Sequence, residues 1–293
     1  MLKELSGDCI GQAADFCWER CKEAGTRSYP LFADKAEIEE EFRLRSSEAH
    51  ARLLAYYSRG ILAGVFCFFT IPAELYLQTT AFYAGKARYA EAANAFFCYL
   101  AAYYPAYTAY IGVAAENENA ANELKRNGYG LEDACCDQRC GLSDPMAQWT
   151  EDGILRVTEE QFDEYAAFHD AYFPDIYWNA ERLRSVQRDW RIFARRDGGQ
   201  ISAGVFLQVY GETAEIFGLR IREREPGTKL LRHALGTICT ESAAVKRAVF
   251  LADESDETAI AAARECGFHC AGHYRLWCKA LPRQTAAEGS GKP

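Results

Sequence analysis

Ile61-Leu-Ala-Gly-Val-Phe66 and Ile201-Ser-Ala-Gly-Val-Phe206 agree at five of six positions, 140 residues apart. A second pair of landmarks keeps nearly the same distance. Asn117-Glu-Asn-Ala120 precedes Gly128-Tyr129, and Asp256-Glu-Thr-Ala259 precedes Gly267-Phe268 with the same internal spacing, at an offset of 139. Upstream, the amphipathic run Phe16 to Cys21 and Pro30 correspond loosely to Phe162 to Phe168 and Pro174. Self-similarity at a fixed distance marks a repeated structural unit, so the chain is read as two copies of one module. The polar stretch from Asp137 to Asp152, broken by Gly141, Ser143-Asp144-Pro145 and Gly153, is the predicted boundary. That places the domains at 1–142 and 150–281, and the tail over 282–293 is predicted to be disordered.

Each copy has a readable element order. In the second, Phe162 to Tyr172 and Glu181 to Gln187 are predicted helices, and Arg191 to Arg195 a strand that turns at Gly198-Gly199 into Ile201 to Val209. A turn at Gly211-Glu212 leads to a strand from Thr213 to Ile221. A helix from Thr228 to Ser242, a strand Ala248 to Ala252, a helix Asp256 to Cys266 and a strand Ala271 to Lys279 complete the copy. The first copy follows the same order from Arg52. Antiparallel hairpins followed by strand, helix, strand, helix and strand imply an α/β fold, with a mixed, mostly antiparallel sheet flanked by helices.

Composition excludes several classes. A length of 293 residues, with 49% apolar and 26% charged residues, suits about two ordinary globular domains. A net charge of -9 opposes phosphate backbones and anionic lipid, so neither nucleic acid nor membrane is an expected partner. Ala92 to Ala115 carries no charge, but it is built from Ala and Tyr and divided by Pro105, and reads as a helix followed by a strand. Its tyrosines, Tyr99, Tyr103, Tyr104, Tyr107 and Tyr110, read as packing rather than as a substrate pocket. The twelve cysteines are scattered and Met1 to Asp15 lacks a secretory layout, which suits free thiols in the cytoplasm. Cys266, His269, Cys270, His273 and Cys278 do not follow zinc spacing, and no metal is expected.

The element order, the Asn/Asp-x-x-Ala step and the Gly-Phe/Tyr eight residues after that alanine together resemble the GNAT superfamily, the GCN5-related acyl-CoA-dependent N-acyltransferases. The resemblance covers both copies, so the chain resembles a tandem GNAT protein. It implies acetyl-CoA as co-substrate and a small-molecule or peptide amine as acceptor, joined by direct attack in a ternary complex. It also implies a pyrophosphate-binding loop, Gln/Arg-x-x-Gly-x-Gly/Ala, between the fourth strand and the next helix. Small residues let the main chain approach there, and free N–H groups with the helix dipole favour an anion.

In the second copy that run is Arg222-Glu-Arg-Glu-Pro-Gly227, followed by Thr228-Lys229, with Glu225 in place of the middle glycine. Arg220 to Arg232 holds five cations and two acids, a local balance of +3. Leu219, Ile221, Arg222, Arg224, Gly227, Thr228 and Lys229 are therefore the implied cofactor residues. Asp256 stands at the family position that holds the cofactor arm, or else caps its helix. The first copy has only Gly85-Lys86 before its helix, and is expected to be a degenerate partner.

The chemistry requires a neutral amine, and an alkylammonium is only about a thousandth deprotonated at neutral pH. Glu215, in an Ala-Glu-Ile context on a predicted strand, is the candidate base; its alternative is a solvent-facing strand glutamate. The tyrosine that protonates the leaving thiolate in many GNAT enzymes is replaced by Ala263, and by Leu124 in the first copy. Tyr274 or Tyr210 would have to substitute, unless both are packing residues. These departures support a rival reading, a catalytically silent binding or regulatory protein on the same fold.

Overall fold

The computed structural model describes residues 1–5, 7–174 and 176–283, so the predicted tail lies, from 284 on, outside the described residues. The chain forms two compact units. The first is Met1–Ala134 together with the segment from His273; the second is Cys135–Gly272.

Unit 1 runs β1 (Leu2–Glu4), α1 (Ile10–Cys21), α2 (Lys35–Ser47), β2 (Ala51–Ser58), β3 (Ile61–Ile71), β4 (Tyr76–Ala84), α3 (Tyr89–Tyr103), β5 (Thr108–Ala114) and α4 (Glu118–Arg126). Its strands β1 to β4 pair antiparallel in order, and β5 joins β4 in parallel. The β3 strand is apolar on both faces because helices cover both. Val65 and Cys67 meet α1 and α2, with Ile38 and Phe42. Phe66 and Phe68 meet α3, where Phe96 stacks on Phe66 at 4.5 Å. The buried residues of α3, Tyr89, Ala92, Ala93, Phe96, Phe97 and Leu100, follow the spacing of one helical face.

The chain continues through β6 (Gly130–Gly141) and β7 (Ile154–Arg156) to α5 (Phe162–Tyr172), α6 (Ala180–Ser185), β8 (Trp190–Asp197), β9 (Gln200–Tyr210), β10 (Thr213–Arg220), α7 (Arg224–Glu241), β11 (Arg247–Asp253), α8 (Glu257–Glu265) and β12 (His269–Ala280). In unit 2, β7 to β10 are antiparallel and β11 joins β10 in parallel, repeating unit 1. Gly198 and Gly199 both have positive φ in the β8–β9 turn, as the hairpin reading requires.

The sixth strand of each unit differs from the expectation. In unit 2, Cys135–Gly141 of β6 pairs antiparallel with Asp253–Arg247 of β11. In unit 1, Tyr274–Ala280 of β12 pairs antiparallel with Ala114–Thr108 of β5. Each repeat therefore hands its last strand to the other unit, and the divisions fall at 134/135 and 272/273 instead of the predicted 142/150. The stretch read as a linker misled because it is polar. Asp137 is 1% exposed and Gln138 2%, and Asp137 is held by the Arg139 guanidinium at 2.9 Å.

The α7 helix begins at Arg224, one turn before the predicted Thr228. Pro226 sits in its first turn, where a missing N–H breaks no helical hydrogen bond. Among the described residues no helix is long and apolar enough to cross a membrane. Ala92 to Ala115 is divided between α3 and β5 as expected.

Candidate active site

The parallel strands β10 and β11 pair only from Thr213 to Ile216, against Arg247 to Phe250, although they run on to Arg220 and Asp253. Among the described residues no segment pairs with the edges that face each other beyond that point. Such an opening at the carboxyl ends of parallel strands is the usual place for a ligand in an open α/β sheet, because its main-chain groups are still unpaired.

Glu215 lies at the end of the paired stretch. Its neighbours Ala214 and Ile216 face the α7–α8 core, so alternation turns Glu215 to the opposite face, where it is partly exposed. Burial of its carboxyl, reinforced by the negative charge of Asp137, pushes its pKa up to about 7. Gln208 is its cross-strand partner on β9, and Tyr210 stands two residues on. Burial and the Glu215 charge push the Tyr210 phenol up to about 12. A carboxyl half-protonated near neutrality beside a phenol is a matched pair for moving protons at an amine.

Unit 1 lacks both features. Tyr76–Gln78 pairs with Thr108–Tyr110 in the register of Thr213–Glu215 with Arg247–Val249, so Gln78 occupies the place of Glu215. An amide cannot accept a proton in this pH range. The opening between β4 and β5 is also filled by the chain itself. Ser28 bridges to Val113, and its Oγ accepts the Phe82 N–H at 2.8 Å and lies 3.3 Å from the Gly112 carbonyl. Tyr29 N–H donates to that carbonyl, and Ala114 N–H to the carbonyl of Arg27.

Apart from Asp256, the predicted cofactor residues of unit 2 gather around the start of α7, and their polar side chains are engaged by neighbouring residues. Leu219 and Ile221 are buried in the core and offer only main chain. Gly227 lies inside the first turns of α7 instead of in an open loop. A Cβ there would stand 2.2 Å from Ile221 Cδ1, so the glycine lets the helix seat on that side chain. Arg222 donates to Tyr172 Oη at 2.6 Å, and Arg224 pairs with Glu265 at 3.0 Å. The Thr228 hydroxyl lies 2.9 Å from the same carboxylate. Lys229 holds Glu225 at 2.8 Å, one turn along the helix, which lowers the pKa of Glu225 and draws its charge away from the helix start.

Asp256 caps α8, accepting the Ala259 N–H at 2.9 Å, and Asn117 caps α4 in the same way. Tyr274 belongs to unit 1, where its ring meets Tyr29 at 4.8 Å and lies against Gly112. Ala263 and Leu124 are core residues of their helices. Asp137 was missed because its surroundings looked like linker, and the Ser28 plug left no signal in the sequence. The Gln78–Glu215 equivalence follows only from strand register.

No protein-family model matches the chain, and no curated protein matches it. Solved structures do. A GCN5-related N-acetyltransferase from Sphaerobacter thermophilus is 16% identical with a TM-score of 0.66, over 97% of this chain and 96% of that one. A tandem GNAT protein from the clavulanic acid biosynthesis pathway is 14% identical with a TM-score of 0.53, over 97% and 99%. A putative acetyltransferase from Pyrococcus horikoshii is 11% identical with a TM-score of 0.56, over 97% and 91%.

Proposed function

We propose that this chain, which carries the GCN5-related N-acetyltransferase fold in tandem, moves an acetyl group from acetyl-CoA to a primary amine of a small molecule or peptide, and that the chemistry belongs to unit 2. The observation that carries this reading is the Glu215 carboxyl, poised near pH 7 at the mouth of the β10–β11 opening. Glu215 takes the ammonium proton, and the freed amine attacks the thioester carbonyl. Tyr210, which feels the Glu215 charge within unit 2, is the candidate proton donor for the leaving thiolate, with Tyr274 the alternative. Acetyl-CoA supplies the activated acyl group. Arg222, Arg224 and Lys229 exchange their internal partners for its pyrophosphate, supported by the N–H groups at the α7 start. Leu219, Ile221 and Gly227 shape the approach, and Asp256 lines the cofactor arm. The acidic net charge favours cationic acceptors, and twelve free cysteines suit a cytoplasmic protein.

The test is a thermal shift with acetyl-CoA followed by thiol release on an amine panel. Millimolar acetyl-CoA raises Tm by a few degrees, the mass-action effect of a native-state ligand. Glu215→Gln keeps that shift and loses about 10²- to 10⁴-fold in turnover. No shift and no thiol release would leave the rival, a silent protein on this fold. The engaged cations at α7 are the observation in its favour.

A further inference from the structure

We infer that Cys136 and Cys270 of unit 2 form an oxidisable pair, which hydrogen peroxide closes to a disulfide and a dithiol reopens. Cys136 lies on β6, opposite Ala252 of β11, and Cys270 is the second residue of β12. They stand 134 positions apart in sequence, and the Cys136 thiol donates to Cys270 Sγ at 2.8 Å. A disulfide bond is about 2.05 Å long, so closing the pair takes less than about 1 Å of movement. The bond ties the strand that the first repeat lends to unit 2 to the start of the strand that follows α8. Neither residue is among those assigned to acetyl transfer.

Geometry selects this chemistry over a metal. A zinc ion holds thiolate sulfurs about 2.3 Å from itself in a tetrahedron, which sets them roughly 3.8 Å apart. At 2.8 Å the two sulfurs are too close to share such an ion and stand near bonding distance instead. Their surroundings then divide the roles. Cys270 is exposed and Cys136 is 5% exposed, so an oxidant in solvent reaches Cys270 first. Burial and the bond to Cys270 push the Cys136 thiol up to about 12; it holds its proton near neutrality and reacts slowly with an outside oxidant. Gln138 Nε2 donates to Cys136 Sγ at 2.8 Å, which holds that sulfur in place and stabilises negative charge on it when the disulfide is reduced.

The step balances with hydrogen peroxide as oxidant. The Cys270 sulfur, as thiolate, attacks one peroxide oxygen; an S–O bond forms, the O–O bond breaks, and the second oxygen leaves as water after taking a proton. The Cys136 sulfur then attacks the sulfenic sulfur. The S–S bond forms, the S–O bond breaks, and the hydroxyl leaves as water with the proton that Cys136 already directs at Cys270. In sum each sulfur gives up one electron, and the two peroxide oxygens end in two water molecules. Cys9 and Cys98 are exposed as well, but among the described residues no second thiol is hydrogen-bonded to either.

The experiment treats the reduced full chain with an equimolar amount of hydrogen peroxide, without acetyl-CoA, and reads intact mass and a non-reducing peptide map after the remaining thiols are alkylated. The chain loses two hydrogens, the peptides holding Cys136 and Cys270 are joined, and dithiothreitol separates them. The bridge spans 134 positions, so Tm rises by about 5 °C. Cys136→Ser forms no bridge and leaves Cys270 as a sulfenic acid, which dimedone traps; Cys270→Ser forms no bridge and leaves Cys136 a thiol. Cys98→Ser bridges as the parent does. The pair is overturned if the joined peptides hold other cysteines, if Cys136 and Cys270 are both alkylated after peroxide, or if the untreated protein holds zinc that both serine variants lose. Glu215→Gln forms the same bridge, so failure of the acetyl-transfer reading and failure of this one are read on different variants.

Discussion

Glu215 and Gln78 occupy one register position in two copies of a fold and differ by the single atom exchange that separates a base from an amide. Two consequences follow from a carboxyl lifted to about 7. In activity, the rate rises with pH through that value as the carboxylate forms, and Glu215→Gln loses both the rate and this limb of the profile; a variant that keeps the limb assigns it elsewhere. In stability the sign is opposite. The folded pKa lies above the unfolded one, near 4.5, so the protonated group stabilises the fold at low pH and the advantage is lost as pH rises through about 7. Glu215→Gln is therefore more stable than the parent at pH 8, by on the order of 1–3 kcal/mol in urea unfolding, and equal to it near pH 4. A solvent-facing glutamate would show neither effect. The strand context was enough to single out Glu215 from the sequence. The reason for its shift was not legible, because Asp137 reaches it from a segment that looked like a linker.

The helices repeat as faithfully as the strands, and their caps carry the difference between the copies. Asp256 makes one cap bond, to the Ala259 N–H. Asn117 makes the same bond to Ala120 and, through Nδ2, also donates to the Arg27 carbonyl at 2.9 Å and to Tyr89 Oη at 3.2 Å. It is fully buried, and the carbonyl it holds belongs to the segment that closes the β4–β5 opening. The two side chains are thus not interchangeable. Asp256→Asn changes stability by less than about 0.5 kcal/mol, since asparagine caps as well as aspartate. Asn117→Asp sets a carboxylate against the Arg27 carbonyl and costs about 2 kcal/mol or more; equal effects in thermal unfolding would show that the clasp does not hold the plug. Both caps were legible as helix starts. The clasp was not, because its partner lies 90 positions away in the sequence. The start of α7 was misplaced for a related reason: Pro226 and Gly227 look like loop until Ile221 is seen to fill the space below the glycine.

The duplication was visible in two short landmarks, and the helix and strand order followed from it, but the ownership of the last strands was not. Each last strand follows its own repeat in sequence, and nothing local in β6 or β12 says which β-edge it will join; only the long-range pairing does. The exchange makes a cut at the boundary suggested by the sequence destructive. A fragment of residues 1–142 keeps Cys135–Gly141 without β11 and lacks Tyr274–Ala280, so β5 becomes an open edge and Trp277, buried in the unit 1 core, is missing. That fragment is expected to unfold without a cooperative transition and to aggregate. Residues 1–134 joined through a short glycine-rich turn to 273–281 restore the missing strand; Glu132 and Cys278 already meet at 3.1 Å across that join. The joined fragment is expected to unfold in one sharp transition by circular dichroism, with the tryptophan emission of a buried Trp277. Cooperative folding of 1–142 alone would mean that the first copy completes its sheet without the borrowed strand, and that the exchange is not what holds it together.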